Sequence, residues 1–410
     1  MAFLSLLDDR AKPKGSRDPL GFELVWTHYG RQVIGNLTTI TSSLTNFAVA
    51  MLGFQWANEL HAHLPEYERQ AHVRDTFLRY EQLAGYLRYL AADQAVMGIT
   101  RISRRMEETN ARVSFGLGAE QQILSDQASY GLWGLYSAAM RDTGLVRGDD
   151  RMPTDIGQGI AHEIETRLDK LALITLLSGR HKVKREELQP FARSFRTAIN
   201  QKRMRERLLH ALMNGNPHKR LQQELWRVTQ ALVDSGVPVR DVPGFIRQVK
   251  RKTKEPELVQ RLAVIESVER LLVAANNVFH YCRRKDGASV ESVLEALSGR
   301  YSYAHLPDTL DLTSVPRADL LTRILHDLRA DKVRDALVDI LELNRVVMEQ
   351  RGGAPWVEME EGDTLRVRVQ SETAELRDQN DLETGWDYDY FLNSFIRMAS
   401  DGLGAQWMLR

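Results

Sequence analysis

The sequence predicts a mainly α-helical protein of several subdomains, with a winged-helix-like element and a small C-terminal β-hairpin. Three observations carry this. The chain has 410 residues, more than one hydrophobic core usually serves. Apolar residues recur at three- and four-residue steps through most of it, the spacing of one face of a helix. Period-two alternation is convincing only near the end, where Leu365, Val367 and Val369 fall on one face and Arg366 and Arg368 on the other.

The elements follow in order. The longest apolar stretch, "FAVAMLGFQWA" at 47–57, is about half of the roughly 20 residues a membrane span needs, so it reads as a buried helix. Over 66–90, Val73, Phe77, Tyr80, Ala84 and Leu87 mark one helical face. "GLWGLYSAAMRDTGLV", the charged tip "RGDDRMPTD" and "IGQGIAHEIE" give helix, strand, tip, strand, helix, the order of a winged helix. Arg141 is the only cation on the helix that would enter a groove, so packing is a better use for it than base reading. Further helices are expected at about 185–198, 201–213, 219–235, 290–297, 317–328 and 331–351, with a last one at 390–399.

The cleanest stripe is Leu258, Leu262, Ile265, Val268, Leu272, Ala275, Phe279 and Cys282, opened by Pro256 in the first helical turn between Glu255 and Glu257. A Glu-Gly-Asp turn at 361–363 joins the two hairpin strands. Loops at 147–155, 214–219, 284–289, 306–316 and 351–355 suggest boundaries. They divide the chain into an N-terminal helical domain (1–150), a basic helical segment (151–240), a helical core domain (241–351) and an acidic C-terminal segment (352–410). Neither a tandem repeat nor a low-complexity tract stands out.

Net charge is zero, but its distribution is not even. Residues 180–257 hold 19 Lys and Arg against 8 Asp and Glu, and residues 356–401 hold 12 acidic against 4 basic residues. The middle can bind a polyanion, or dock an acidic face of the chain or of a partner. Candidate nucleic-acid-binding residues are Lys182, Lys184, Arg185, Arg193, Arg196, Lys202, Arg203, Arg207, Arg247, Lys250, Arg251, Lys252 and Lys254. The densest run, "RQVKRKTKEPE" at 247–257, has a plainer explanation. If Asp241 caps a short helix through Phe245, Ile246 and Val249, then Lys250, Arg251 and Lys252 complete its last turn, where cations complement the helix dipole.

Catalytic motifs are missing. The sequence has no phosphate-binding P-loop, no dinucleotide fingerprint, no H-E-x-x-H and no nucleophile elbow. No catalytic residue, metal ligand or cofactor is therefore assigned. His162, Glu163, Glu165 and Asp169 read as a solvated helix face, and Asp381, Glu383, Asp387 and Asp389 obey no metal spacing rule. Trp386, Tyr388, Tyr390 and Phe391 either seal the last helix or anchor a partner. The single cysteine, Cys282, excludes an intrachain disulfide and fits a reducing, cytoplasmic setting. The start, "MAFLSLLDDRAKPKG", lacks the basic lead and long apolar run of a secretory signal.

"RDPLGFELVWTHYGRQVIGNLTTIT", "FLRYEQLAGYLRYLAADQAVMGI", "YGLWGLYSAAMRDTGLV", "RGGAPWVEMEEGDTLRVRV" and "WDYDYF" resemble poorly characterised bacterial helical proteins of anti-phage defence gene clusters. The resemblance implies a defence context with protein partners such as helicases or nucleases, and no active site. The leading expectation is a non-enzymatic adaptor or nucleic-acid-binding subunit of a multi-protein defence complex, without a membrane. The alternatives are a metal-dependent nuclease or other hydrolase whose acidic residues meet only in the fold, and a pure protein scaffold.

Overall fold

The computed structural model describes residues 18–404 except 109, 180–181, 215, 217 and 372–374. Along the chain run α1 (Glu23–Val33), α2 (Leu44–Leu60), α3 (Glu66–Leu90), α4 (Ile99–Met106), β1 (Arg112–Val113), α5 (Gln127–Tyr130), α6 (Leu132–Asp142), β2 (Val146–Arg147), β3 (Met152–Pro153), α7 (Asp155–Glu165), α8 (Lys170–Ser178) and β4 (Val183–Lys184). Then come α9 (Arg185–Ile199), α10 (Lys202–Asn214), α11 (Arg220–Asp234), α12 (Val242–Lys252), α13 (Pro256–Cys282), α14 (Val290–Leu297), α15 (Ala318–Arg329), α16 (Val333–Gln350), β5 (Val357–Glu360), β6 (Thr364–Val367), α17 (Gln379–Thr384) and α18 (Leu392–Leu403). The protein is mainly helical, as its periodicity predicts.

The chain forms two compact units, neither continuous in sequence. Among the described residues, one comprises 18–33 and 242–390, the other 34–241 and 391–404. The boundaries expected from the sequence follow loops and charge, whereas the units follow packing.

The first unit is built on α13, with α1, α12, α16 and α17 packed against it. All eight residues of its stripe are buried. Glu255 caps it, accepting from the Glu257 amide, and Pro256 enters its first turn. The C-terminal hairpin forms in the expected place, with Val357 opposite Val367 and Glu360 opposite Thr364. It is fixed to α16 by the buried Asn344, whose Oδ1 accepts from the amides of Trp356 (2.8 Å) and Val357 (3.3 Å). Asn344 Nδ2 also donates to the Pro19 carbonyl at 2.8 Å.

The second unit surrounds α2. Thirteen of that helix's 17 residues are buried, so it has no solvent face and no amphipathic signal. α3, α6, α7 and α10 pack on it. The approach of α2 to α3 is close at Gly53, where a Cβ would lie 2.5 Å from the Tyr80 ring.

The helix–strand–tip–strand–helix order at 132–165 is present, with Val146 opposite Pro153 and Arg147 opposite Met152. Its tip turns inward. Arg69 Nε donates to Asp150 Oδ2 at 2.7 Å, Asn58 Nδ2 donates to the Asp150 carbonyl at 3.1 Å, and the Arg151 guanidinium stacks 4.7 Å over Trp133. α6 itself buries Leu132, Trp133, Tyr136, Ala139 and Met140. The element packs, and it presents no helix for reading a groove.

Two expectations need correction. Besides the C-terminal hairpin and the expected β2–β3 pair, β1–β4 forms a further antiparallel ladder. These strands have two residues each, too few to show alternation in a sequence. The last helix starts at Leu392, not 390, since Tyr390 and Phe391 adopt left-handed backbone angles (φ 49° and 61°). α9 buries Leu188, Ala192, Phe195, Ala198 and Ile199, with Phe191 half-buried.

Candidate nucleic-acid interface

The thirteen candidate cations divide between the units. Lys182, Lys184, Arg185, Arg193, Arg196, Lys202, Arg203 and Arg207 belong to the second; Arg247, Lys250, Arg251, Lys252 and Lys254 belong to the first. Their partners distinguish them more sharply than their number does.

On α10 the cations are already neutralised. Arg203 Nε lies 3.9 Å from Glu163 Oε1, and Arg207 donates to the same oxygen. These two, with His210 and the exposed Ile156, line a cleft of about 550 Å³. Lys202 lies 3.8 Å from Glu206 one turn on. Arg205, their neighbour, is bound to Asp401 at 2.7 Å.

In the first unit, α12 ends on Lys250, Arg251 and Lys252, the helix-terminus arrangement. Lys250 Nζ is ion-paired with Glu266 at 2.6 Å. Arg247, Arg251 and Lys254 are exposed.

The β1–β4 ladder is different. Val113 and Val183 face each other on its buried side, which places Arg112 directly opposite Lys184 on the solvent side. Lys182 is exposed beside them. Arg185 opens α9, donating from its amide to the Ala111 carbonyl (3.2 Å) and from Nη1 to the Met106 carbonyl (3.3 Å) at the end of α4. Like charges directly opposite on a ladder repel and destabilise the pair. None of these four cations is ion-paired to a carboxylate among the described residues. Glu186, the nearest acid in sequence, is exposed, and Glu187 has turned Oε1 to the Lys184 amide at 2.8 Å as an N-terminal cap. Along α9, Arg193 is exposed, and Arg196 Nη1 reaches the Ala91 carbonyl at 2.5 Å after the end of α3.

Sequence reasoning named Lys182, Lys184 and Arg185 but missed Arg112. That residue lies 70 positions upstream, and only the pairing of two minimal strands joins it to the others.

The acidic and aromatic candidates serve packing. Glu165 accepts from Trp56 Nε1 at 2.7 Å and from Lys170 at 2.5 Å. Asp387 is held by Arg377 (2.6 Å) and Asn276 (3.2 Å), and Glu383 by Gln379 (2.6 Å). Among the described residues no group of three or more His, Cys, Asp or Glu is placed to hold a metal. Tyr388 packs on Phe22 and Trp26, and Tyr390 is fully buried. Burial pushes the Cys282 thiol up to about 12, which keeps it protonated and unreactive at neutral pH. Among the described residues no helix is long and apolar enough to cross a membrane.

No protein-family model matches the chain, and neither a curated protein nor a solved structure matches it.

Proposed function

We propose that the protein is a non-enzymatic binding subunit that holds the phosphate backbone of nucleic acid, without regard to sequence, on the β1–β4 edge of its second unit. The observation that carries this reading is the Arg112–Lys184 pair. Two cations face one another across a ladder, with Lys182 and Arg185 beside them and none of the four ion-paired to a carboxylate among the described residues. A polyanion converts that repulsion into attraction, because each phosphate neutralised also releases condensed counterions. In the defence context its sequence resembles, such a subunit would hold a strand for partner proteins that act on it.

The test is fluorescence anisotropy with labelled DNA and RNA of unrelated sequences over a salt series, with a parallel cleavage assay in Mg²⁺ or Mn²⁺. Wild type should bind all sequences similarly and cut none. Arg112→Glu with Lys184→Glu should weaken binding and flatten the log–log salt slope by roughly 2, at about 0.9 per phosphate contact on duplex DNA. Unchanged affinity and slope in the double variant would refute the assignment. Metal-dependent cleavage would refute the non-enzymatic reading.

A further inference from the structure

A second cationic feature of the second unit lies outside the basic middle of the chain. Arg101, Arg104 and Arg105 on α4, with Thr100, Ser125 and the carboxylates of Glu108 and Glu120, line a recess of about 720 Å³. Arg105 Nη1 donates to the Tyr86 hydroxyl and the Gln121 carbonyl, both at 3.0 Å, and its Nη2 donates to the Gln122 carbonyl at 2.9 Å. Arg101 Nη1 reaches the same Gln122 carbonyl at 3.4 Å. Arg104 is exposed. None of the three is ion-paired with a carboxylate among the described residues.

Uncharged oxygens therefore position these guanidinium groups without cancelling their charge. The contrast with Arg203 and Arg207, which share Glu163, is direct. An arginine carries five N–H donors. Arg105 commits three and keeps Nε–H and one Nη2–H, while Arg101 commits one. One fixed fork with spare donors, a second guanidinium held at a single nitrogen, one exposed guanidinium and two hydroxyls suit a compact, multiply charged oxyanion, since guanidinium–phosphate pairs are commonly bidentate. A phosphodiester brings one charge per phosphate. A terminal phosphate or polyphosphate brings more charge and more acceptor oxygens to one place.

We infer that the α4 recess is a binding site for a terminal phosphate group, supplied either by the end of a nucleic-acid strand or by a free nucleoside polyphosphate. It is read independently of the β1–β4 surface, and its test includes a probe that is not nucleic acid.

The experiment is isothermal titration of the full chain with inorganic pyrophosphate, with ATP, and with one oligonucleotide carrying either a 5′-phosphate or a 5′-hydroxyl. The variants are Arg101→Gln with Arg104→Glu, and the exposed single change Arg104→Ala in case the first pair disturbs the fold. Arg105 is left alone because it holds the 121–122 segment. Wild type should bind pyrophosphate; the double variant should bind it at least 10-fold more weakly and Arg104→Ala several-fold more weakly. Arg112→Glu with Lys184→Glu should leave pyrophosphate binding unchanged even where it abolishes oligonucleotide binding. A 5′-phosphate preference that the α4 variants remove identifies strand ends as the source. Equal affinity for both oligonucleotides, together with α4-dependent ATP binding, identifies free nucleotide. Absence of binding by all phosphate probes, or binding that neither α4 variant weakens, would overturn the inference.

Discussion

Glu269 sits on α13 with 1% of its surface exposed. Its Oε1 accepts from the amides of Asp387 and, at 3.1 Å, Tyr388, and the Tyr390 hydroxyl is buried beside it. Burial raises its carboxyl from 4.5 to about 7, with the two amides and the Tyr390 hydroxyl opposing the rise and the Asp387 charge adding to it. The folded state thus holds a proton that the unfolded chain releases above about pH 4.5. Stability must then fall as pH rises from about 4.5 to 7, by up to about 1.4 kcal/mol per pH unit. Across that window the loss is about 3 kcal/mol. Glu269→Gln keeps the acceptor for both amides and places its own amide beside the buried Tyr390 hydroxyl. The variant should match wild type near pH 4.5 and exceed it by about 3 kcal/mol at pH 8. Denaturant titrations at matched pH values measure that difference, and contributions common to both proteins, such as the buried Glu81, cancel from it. A variant that is instead less stable than wild type at pH 8, by a margin that closes in acid, would show that Glu269 is held as a carboxylate.

Other substitutions test the packing and the charge assignments. Leu262→Ala and Leu272→Ala, both fully buried on α13, should each cost about 2–5 kcal/mol by thermal or chemical unfolding. Gly53→Ala should destabilise although alanine gains about 1 kcal/mol in helix propensity, because its Cβ would meet the Tyr80 ring at 2.5 Å and overpacking costs about 1–3 kcal/mol. Asn344→Ala should cost at least about 2 kcal/mol by unfolding, since it strands the buried amides of Trp356 and Val357. Arg251→Glu with Lys252→Glu should cost no more than about 1 kcal/mol per charge and leave anisotropy titrations unchanged, in contrast to the Arg112 and Lys184 pair.

Much of the fold was legible because burial on one side of a helix leaves a repeating mark. The α13 stripe, the α3 face and the Pro256 start all follow from that rule, and the C-terminal hairpin follows from its period-two counterpart. The central α2 was legible in another way, from an unbroken apolar run that reads as a buried helix. What escaped notice had no such mark, since the strands of the β1–β4 ladder are shorter than one period of alternation. The late start of α18 depends on two left-handed residues that are not glycine. Neither compact unit is continuous, so boundaries drawn along the chain could not reproduce them.

The candidate site shows the same division between local pattern and distant contact. Counting charge finds where cations are dense, but it cannot tell which are spent. Arg203 and Arg207 lie in the most basic stretch of the chain and share a carboxylate from α7, about 40 residues upstream. Arg112 looks unremarkable in sequence, yet strand pairing sets it against Lys184, and neither is ion-paired to an acid among the described residues. Arg105 shows the third case, since carbonyl and hydroxyl oxygens fix its geometry and leave its charge intact. Electrostatic affinity for an anion depends on the charge that remains after folding, and on how little reorganisation is needed to present it. By that measure the β1–β4 edge and the α4 recess outrank the run at 247–257, whose last helical turn already complements a dipole and whose Lys250 already holds Glu266.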